Sequence, residues 1–136
     1  MKLTIDYEPT PKGVPRVKYV NGQVITYYHW KTTEALEAIR ALLKDMNLEM
    51  FPKYTPIKMT VTFWRTRPKW SLKREKLPCR KPDTSNFTKL IEDCLTGIVI
   101  PDDAAITTTI AKKRWATNGH GYIEISLTED NADEVN

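Results

Sequence analysis

Thiols and imidazoles are scarce in this sequence of 136 residues. Cys79 and Cys94 lie fifteen positions apart with no Cys-x-x-Cys pair, and His29 and His120 are the only histidines. Ligands this few and scattered do not make a structural zinc site, so both cysteines are expected as reduced thiols, with Cys94 in the core. Uninterrupted apolar stretches reach only a few residues, well short of the roughly 18–20 needed to cross a bilayer. A membrane span is excluded on that ground. The opening Met1-Lys2-Leu3-Thr4-Ile5-Asp6-Tyr7 has no continuous apolar segment, so no secretory signal is expected and the cytoplasm is the default compartment. A Gly-x-Ser-x-Gly elbow, a glycine-rich phosphate loop and a dinucleotide fingerprint are also missing, and with them go the chemistries they serve.

What is present is a chain 40% hydrophobic and 28% charged, enough apolar material for one packed domain rather than a disordered segment. The formal net charge is +4, but residues 128–136 hold four acids and no base, leaving 21 basic against 13 acidic side chains, a net of +8, over residues 1–127. The expectation is a basic domain over 1–127 and a frayed acidic tail over 128–136. Between Arg65 and Lys81 eight basic residues face Glu75 alone, with Trp70 among them and Trp64 just before. That run is either a solvated loop or the footprint of a polyanion surface.

Asn21-Gly22 divides Val14–Val20 from Gln23–Tyr28, a hairpin signal. Thr32 or Thr33 is expected to cap a helix whose core stripe is Leu36, Ile39, Leu43, Met46 and Met50. Ile57, Met59, Val61 and Phe63 alternate with polar residues as one face of a strand. From Asp83 to Thr96, Phe87, Leu90, Ile91, Cys94 and Leu95 share one helical arc that Gly97 ends. Two strands follow, one with Ile106, Thr108 and Ile110 alternating and one with Ile123, Ile125 and Leu127, joined through Asn118-Gly119. Two helices on one mixed or antiparallel sheet make an α+β domain.

Within the second helix Asn86, Asp93 and Lys89 fall at about 260°, 240° and 200° from Phe87, a polar stripe opposite the apolar arc. A second acidic group, Pro101-Asp102-Asp103, occupies the turn before the next strand. Asp83 alone suits a helix cap and the Asp102-Asp103 pair suits a turn. If the turn folds back on the helix start, however, Asp83 and Asp103 converge, and converging carboxylates call for a retained proton or a divalent cation. Oxygen-only ligands suit Mg²⁺ or Mn²⁺, and such an ion beside a lysine on a basic surface suits phosphodiester hydrolysis. A restriction-nuclease pattern fails because Glu124-Ile125-Ser126 ends in serine where a lysine is needed.

The stretches Lys81-Pro82-Asp83-Thr84-Ser85-Asn86-Phe87-Thr88-Lys89, Glu92-Asp93-Cys94-Leu95-Thr96-Gly97, Asp102-Asp103-Ala104-Ala105-Ile106 and Lys112-Lys113-Arg114, with the earlier Pro11-Lys12-Gly13-Val14-Pro15-Arg16, together resemble the RusA family of Holliday-junction resolvases. The resemblance implies a RusA-like single domain and a Mg²⁺- or Mn²⁺-dependent endonuclease. It further implies a homodimer that cuts four-way DNA junctions in recombination and repair, often of prophage origin, with no membrane and no organic cofactor. Carried over by position, Asp83, Lys89 and Asp103 would be catalytic and Asp83, Asp102 and Asp103 would hold metal. Ser85, Asn86 and Asp93 would be accessory, and Lys12, Arg16, Lys73, Arg74, Arg80, Lys81, Lys112 and Lys113 would contact DNA. One position departs: Ser85 stands where the family has a second aspartate, and a neutral hydroxyl is the weaker ligand. The alternative that follows is a catalytically silent protein of the same fold that binds branched DNA.

Overall fold

The computed structural model describes residues 1–71 and 73–131. Its elements are β1 (Lys2–Ile5), β2 (Arg16–Val20), β3 (Gln23–Tyr27), α1 (Trp30–Asp45), β4 (Ile57–Arg65), α2 (Thr84–Leu95), a 3-10 turn (Asp103–Ala105), β5 (Ile106–Trp115) and β6 (Tyr122–Glu129). A four-stranded mixed sheet runs in the order β1-β6-β4-β5, with β4 and β5 parallel and the other neighbours antiparallel. Side chains alternate across it, so Leu3, Ile125 and Val61 form one buried row and Ile5, Ile123 and Phe63 the next. Both helices cover that face, contributing Ala35, Ile39 and Leu43 from α1 and Phe87, Leu90, Ile91, Cys94 and Leu95 from α2. This is the expected α+β domain. Burial pushes the Cys94 thiol up to about 12, in keeping with its core position.

The expected β5–β6 hairpin does not form. Asn118-Gly119 lies in the connection, but β4 sits between the two strands and pairs with both, because the most apolar strand takes the centre of the sheet, where both its edges are satisfied. β5 is also irregular where Ile57 faces Ile106 and Lys58 faces Thr108. That extra residue exchanges the faces, so Ile110 is 41% exposed and Ala111 packs on the core instead.

The first helix starts before the expected threonines. His29 is its cap, its imidazole accepting from the Lys31 N–H, and Thr32 is buried with a different task. The Thr32 hydroxyl accepts from the Gly13 N–H at 3.2 Å and donates to the Pro11 carbonyl, fixing residues 11–13 against α1. The apolar stripe ends at Leu43, with Met46 and Met50 exposed. Arg40 projects from α1 onto the end of α2, donating to the carbonyls of Asp93, Cys94 and Thr96 at 3.1, 3.1 and 2.8 Å, where a cation meets the negative end of the helix dipole.

At the opposite end of α2 the Glu8 carboxylate accepts from both the Thr66 N–H and hydroxyl at 3.0 Å. It lies so close to Gly121 that a Cβ there would stand 1.6 Å from Glu8 Oε2 and 2.8 Å from the Trp64 carbonyl. Gly121→Ala should therefore cost about 1–3 kcal/mol in urea unfolding, since the carboxylate must leave Thr66; an unchanged midpoint would refute the close approach.

The first residues of the acidic segment belong to the sheet. Thr128 and Glu129 complete β6 opposite Lys58 and Ile57. Asp130 accepts from the Thr107 and Thr108 hydroxyls, which hold its carboxyl below the usual range. Residues 132–136 of the expected tail lie outside the described residues.

Candidate active site

Asp83 occupies the cap position of α2, yet its carboxylate makes no capping hydrogen bond; its backbone carbonyl instead accepts from the N–H groups of Asn86 and Phe87. The exposed side chain is thus not used by the helix. Beneath the approach to it, Lys113 on β5 directs its ammonium inward, donating to the carbonyls of Arg80 at 3.1 Å and Pro82 at 3.0 Å. Burial lowers the Lys113 pKa, Arg65 adds to that effect and Asp83 opposes it. Lys113, expected on DNA, turns toward the segment that delivers Asp83, because its position on β5 faces the helices, level with Phe63. Lys112 points the other way, exposed on the sheet face opposite the helices, level with Thr62.

The start of α2 rests on an alternating stack. Phe63 and Phe87 meet at 5.2 Å between ring centres, Arg65 lies 5.5 Å from the Phe87 ring and 5.8 Å from that of Trp115, and Arg67 covers Trp115 from 5.5 Å. The Trp115 N–H donates to the Glu75 carbonyl at 3.0 Å, and Arg80 pairs with the Glu75 carboxylate while standing 5.3 Å from the Trp70 ring. Much of the basic loop is thereby tied down. Lys73, Arg74, Arg80 and Lys81 remain exposed along it, as does Arg16 on the β2–β3 hairpin.

Further along α2 a second group assembles. The Lys12 N–H donates to the Asn86 carbonyl at 2.9 Å and its ammonium pairs with Asp93 at 2.7 Å. The hydrogen bond to Asp93 is the main reason its pKa is raised, with Asp103 contributing at longer range. The hydrogen bond between the neighbouring carboxyls raises Asp103 and lowers Asp102, and Asp93 pushes Asp103 further up. Asp102 also accepts from the Ala104 N–H. Glu92 is raised, first by burial and then by Asp103 and Asp93, while Lys89 and Lys12 oppose the rise.

The acids that gather are therefore Asp93, Asp102, Asp103 and Glu92, with Lys12 and Lys89 beside them. Asp83 does not join them. It stands ten residues from Asp93, about 15 Å along the axis by rise, and among the described residues no hydrogen bond or ion pair links it to the acidic pair. The expected trio of Asp83, Asp102 and Asp103 is not assembled, and among the described residues no three carboxylate, imidazole or thiol groups are close enough to cage a metal ion. Glu92 was missed in the sequence because nothing in the periodicity separates it from an ordinary surface acid; its neighbours are set by the turn at Asp102. Ser85 is exposed in the first turn of α2.

Two neighbouring carboxylates are a fitting place for a hard divalent cation, since Mg²⁺ is commonly held by one or two carboxylates together with waters and a substrate phosphate. The donor chemistry fits at Asp102 and Asp103, with Asp93 adjacent.

Comparison with known proteins agrees with the motifs. The chain is 28% identical, over 95% of its own length and 99% of the relative's, to the crossover junction endodeoxyribonuclease rusA of Lactococcus phage r1t. The sequence model of the endodeoxyribonuclease RusA family matches residues 6–126, from just after β1 into β6, so it covers both acidic groups, the basic loop and most of the core. The chain belongs to the RusA family of endodeoxyribonucleases.

Proposed function

We propose that this nuclease cuts four-way DNA junctions by metal-dependent phosphodiester hydrolysis and works as a homodimer. The observation that carries the reading is the acidic pair Asp102 and Asp103 held beside Asp93, Lys12 and Lys89, on a domain whose exposed loop is strongly basic. Asp102 and Asp103 would hold Mg²⁺ or Mn²⁺, which when bound supplies a lowered water pKa and positive charge against the phosphate. The chain's own groups do the rest. Lys89 places a fixed ammonium near the phosphate, Lys12 bridges Asp93 to the Pro11–Gly13 segment, and Lys113 holds the backbone that presents Asp83. Asp83, free of helix capping, is available as a base toward the attacking water or as a further ligand once DNA draws the site together.

A two-fold symmetric substrate needs a cut on each of two strands, which favours two copies. The β2–β3 hairpin supports this. Every one of its residues is exposed, and one of its faces carries only Val17, Tyr19, Val24 and Thr26, with no charge to repel a second basic chain. Asn21 and Gly22 both adopt positive φ, 50° and 78°, as the tight turn requires.

The direct test is a labelled four-way junction incubated with the protein and Mg²⁺ or Mn²⁺. Symmetric nicks are expected, and none with EDTA. Activity that appears only in Ser85→Asp would favour the silent branched-DNA binder. In the basic loop, Lys73→Ala is expected to weaken binding and to flatten the log K against log salt slope by about 0.9 per lost phosphate contact. An unaltered slope would remove the loop from the interface.

A further inference from the structure

Beside the acidic turn lies a groove of about 730 Å³ whose walls include Lys53, Tyr54, Pro56, Pro101, Asp102 and Ala104. Tyr54 stands at its rim with 97% of its surface exposed, on a backbone with φ of 66°. An aromatic residue rarely adopts this left-handed conformation, and persistent strain of this kind points toward use. The ring is not buried, so packing does not account for its place. Pro56, Pro101 and Ala104 make part of its lining apolar, and Lys53 and Asp102 bring the charges.

We propose that this groove receives one unpaired nucleobase of the DNA, stacked on Tyr54, with Lys53 on a flanking phosphate. The proposal rests on the nuclease reading and deepens it by naming the part of the substrate held beside the scissile bond. Three features select a base over other occupants. A bare aromatic face stacks on any base without regard to sequence. A groove of this volume lies within the range of about 300–1,000 Å³ typical of small-ligand sites, which leaves room for a nucleotide. Asp102 belongs to both the groove and the acidic pair, so an occupant of one is next to the other. A base at a strand-exchange point has already lost a stacking neighbour, so extruding it costs least there, and the groove would prefer branched over linear DNA.

The test uses the full chain and a four-way junction carrying 2-aminopurine at the branch point. Wild-type protein is expected to raise the 2-aminopurine emission on binding, as the base leaves its stack. Tyr54→Ala should abolish that rise and weaken junction binding by about 5- to 100-fold. Tyr54→Phe should keep both, and affinity for linear duplex should stay within about 2-fold in all three proteins. Because Tyr54 is solvent-exposed, thermal melting of the variants should match wild type. Unchanged emission and affinity in Tyr54→Ala, or an equal loss on linear duplex, would overturn the base site while leaving the nuclease reading intact. Failure of wild type to nick the junction would instead strike the reading beneath it.

Discussion

Asp103→Asn is expected to slow single-turnover nicking of a four-way junction by more than about 100-fold while junction affinity stays equal or tightens. The substitution keeps the shape and removes the charge. The Asp103 carboxyl is raised by both Asp102 and Asp93, so neutralising it relieves repulsion and is not expected to cost the fold. On the proposed metal-dependent mechanism the protein would lose an oxygen ligand for the divalent ion. What it gains is a less negative surface toward phosphate, hence the tighter binding. Asp83→Asn should give the same loss of nicking with binding retained, because its carboxylate caps nothing and the amide can still fit above Lys113. Unchanged rates in both variants would end the mechanism; a loss in Asp103→Asn alone would restrict it to the group around Asp93.

The largest stability effect is expected at Phe87, where Phe87→Ala should lower the unfolding free energy by about 3–5 kcal/mol, a large share of the roughly 5–15 kcal/mol typical of a domain. Phe87 is 1% exposed, packs on Phe63 and lies beneath the Arg65 guanidinium. Removing its ring leaves a cavity between α2 and β4 and takes away one of the two faces that hold Arg65. Arg65 is half-buried and its pKa is lowered chiefly by desolvation, so a guanidinium deprived of its ring adds to the cost. Urea unfolding gives the value directly. A loss below about 1 kcal/mol would show that the stack does not secure the start of α2.

Much of the core was readable from periodicity. The inward face of β4 and the apolar arc of α2 were expected residue by residue and are buried as expected, because a strand of period two or a helix of period 3.6 writes its buried face into the order of its residues. Asn21-Gly22 was equally legible, since its requirement for positive φ is local. Met46 and Met50 were misread because apolar spacing continues past the point where α1 still faces the sheet. Ile110 was misread because one irregular step in β5 exchanges the faces of the strand, and no composition records that step.

The candidate site divides along the same line. The amino-acid order by itself determined the family, the chemical character of the acids and lysines, and their places at a helix start, on a helix face and in a turn, since each depends on residue type and short spacing. Only the tertiary structure decided which of those groups meet. Placing β4 between β5 and β6 sets where β5 begins, and with it the Asp102-Asp103 turn, beside the later half of α2 near Asp93 and Glu92 rather than at Asp83. The same strand turns Lys113 inward and Lys112 outward. Such meetings come from contacts between residues far apart in the chain, whose free energies compete across the whole sheet, and no local pattern carries that sum.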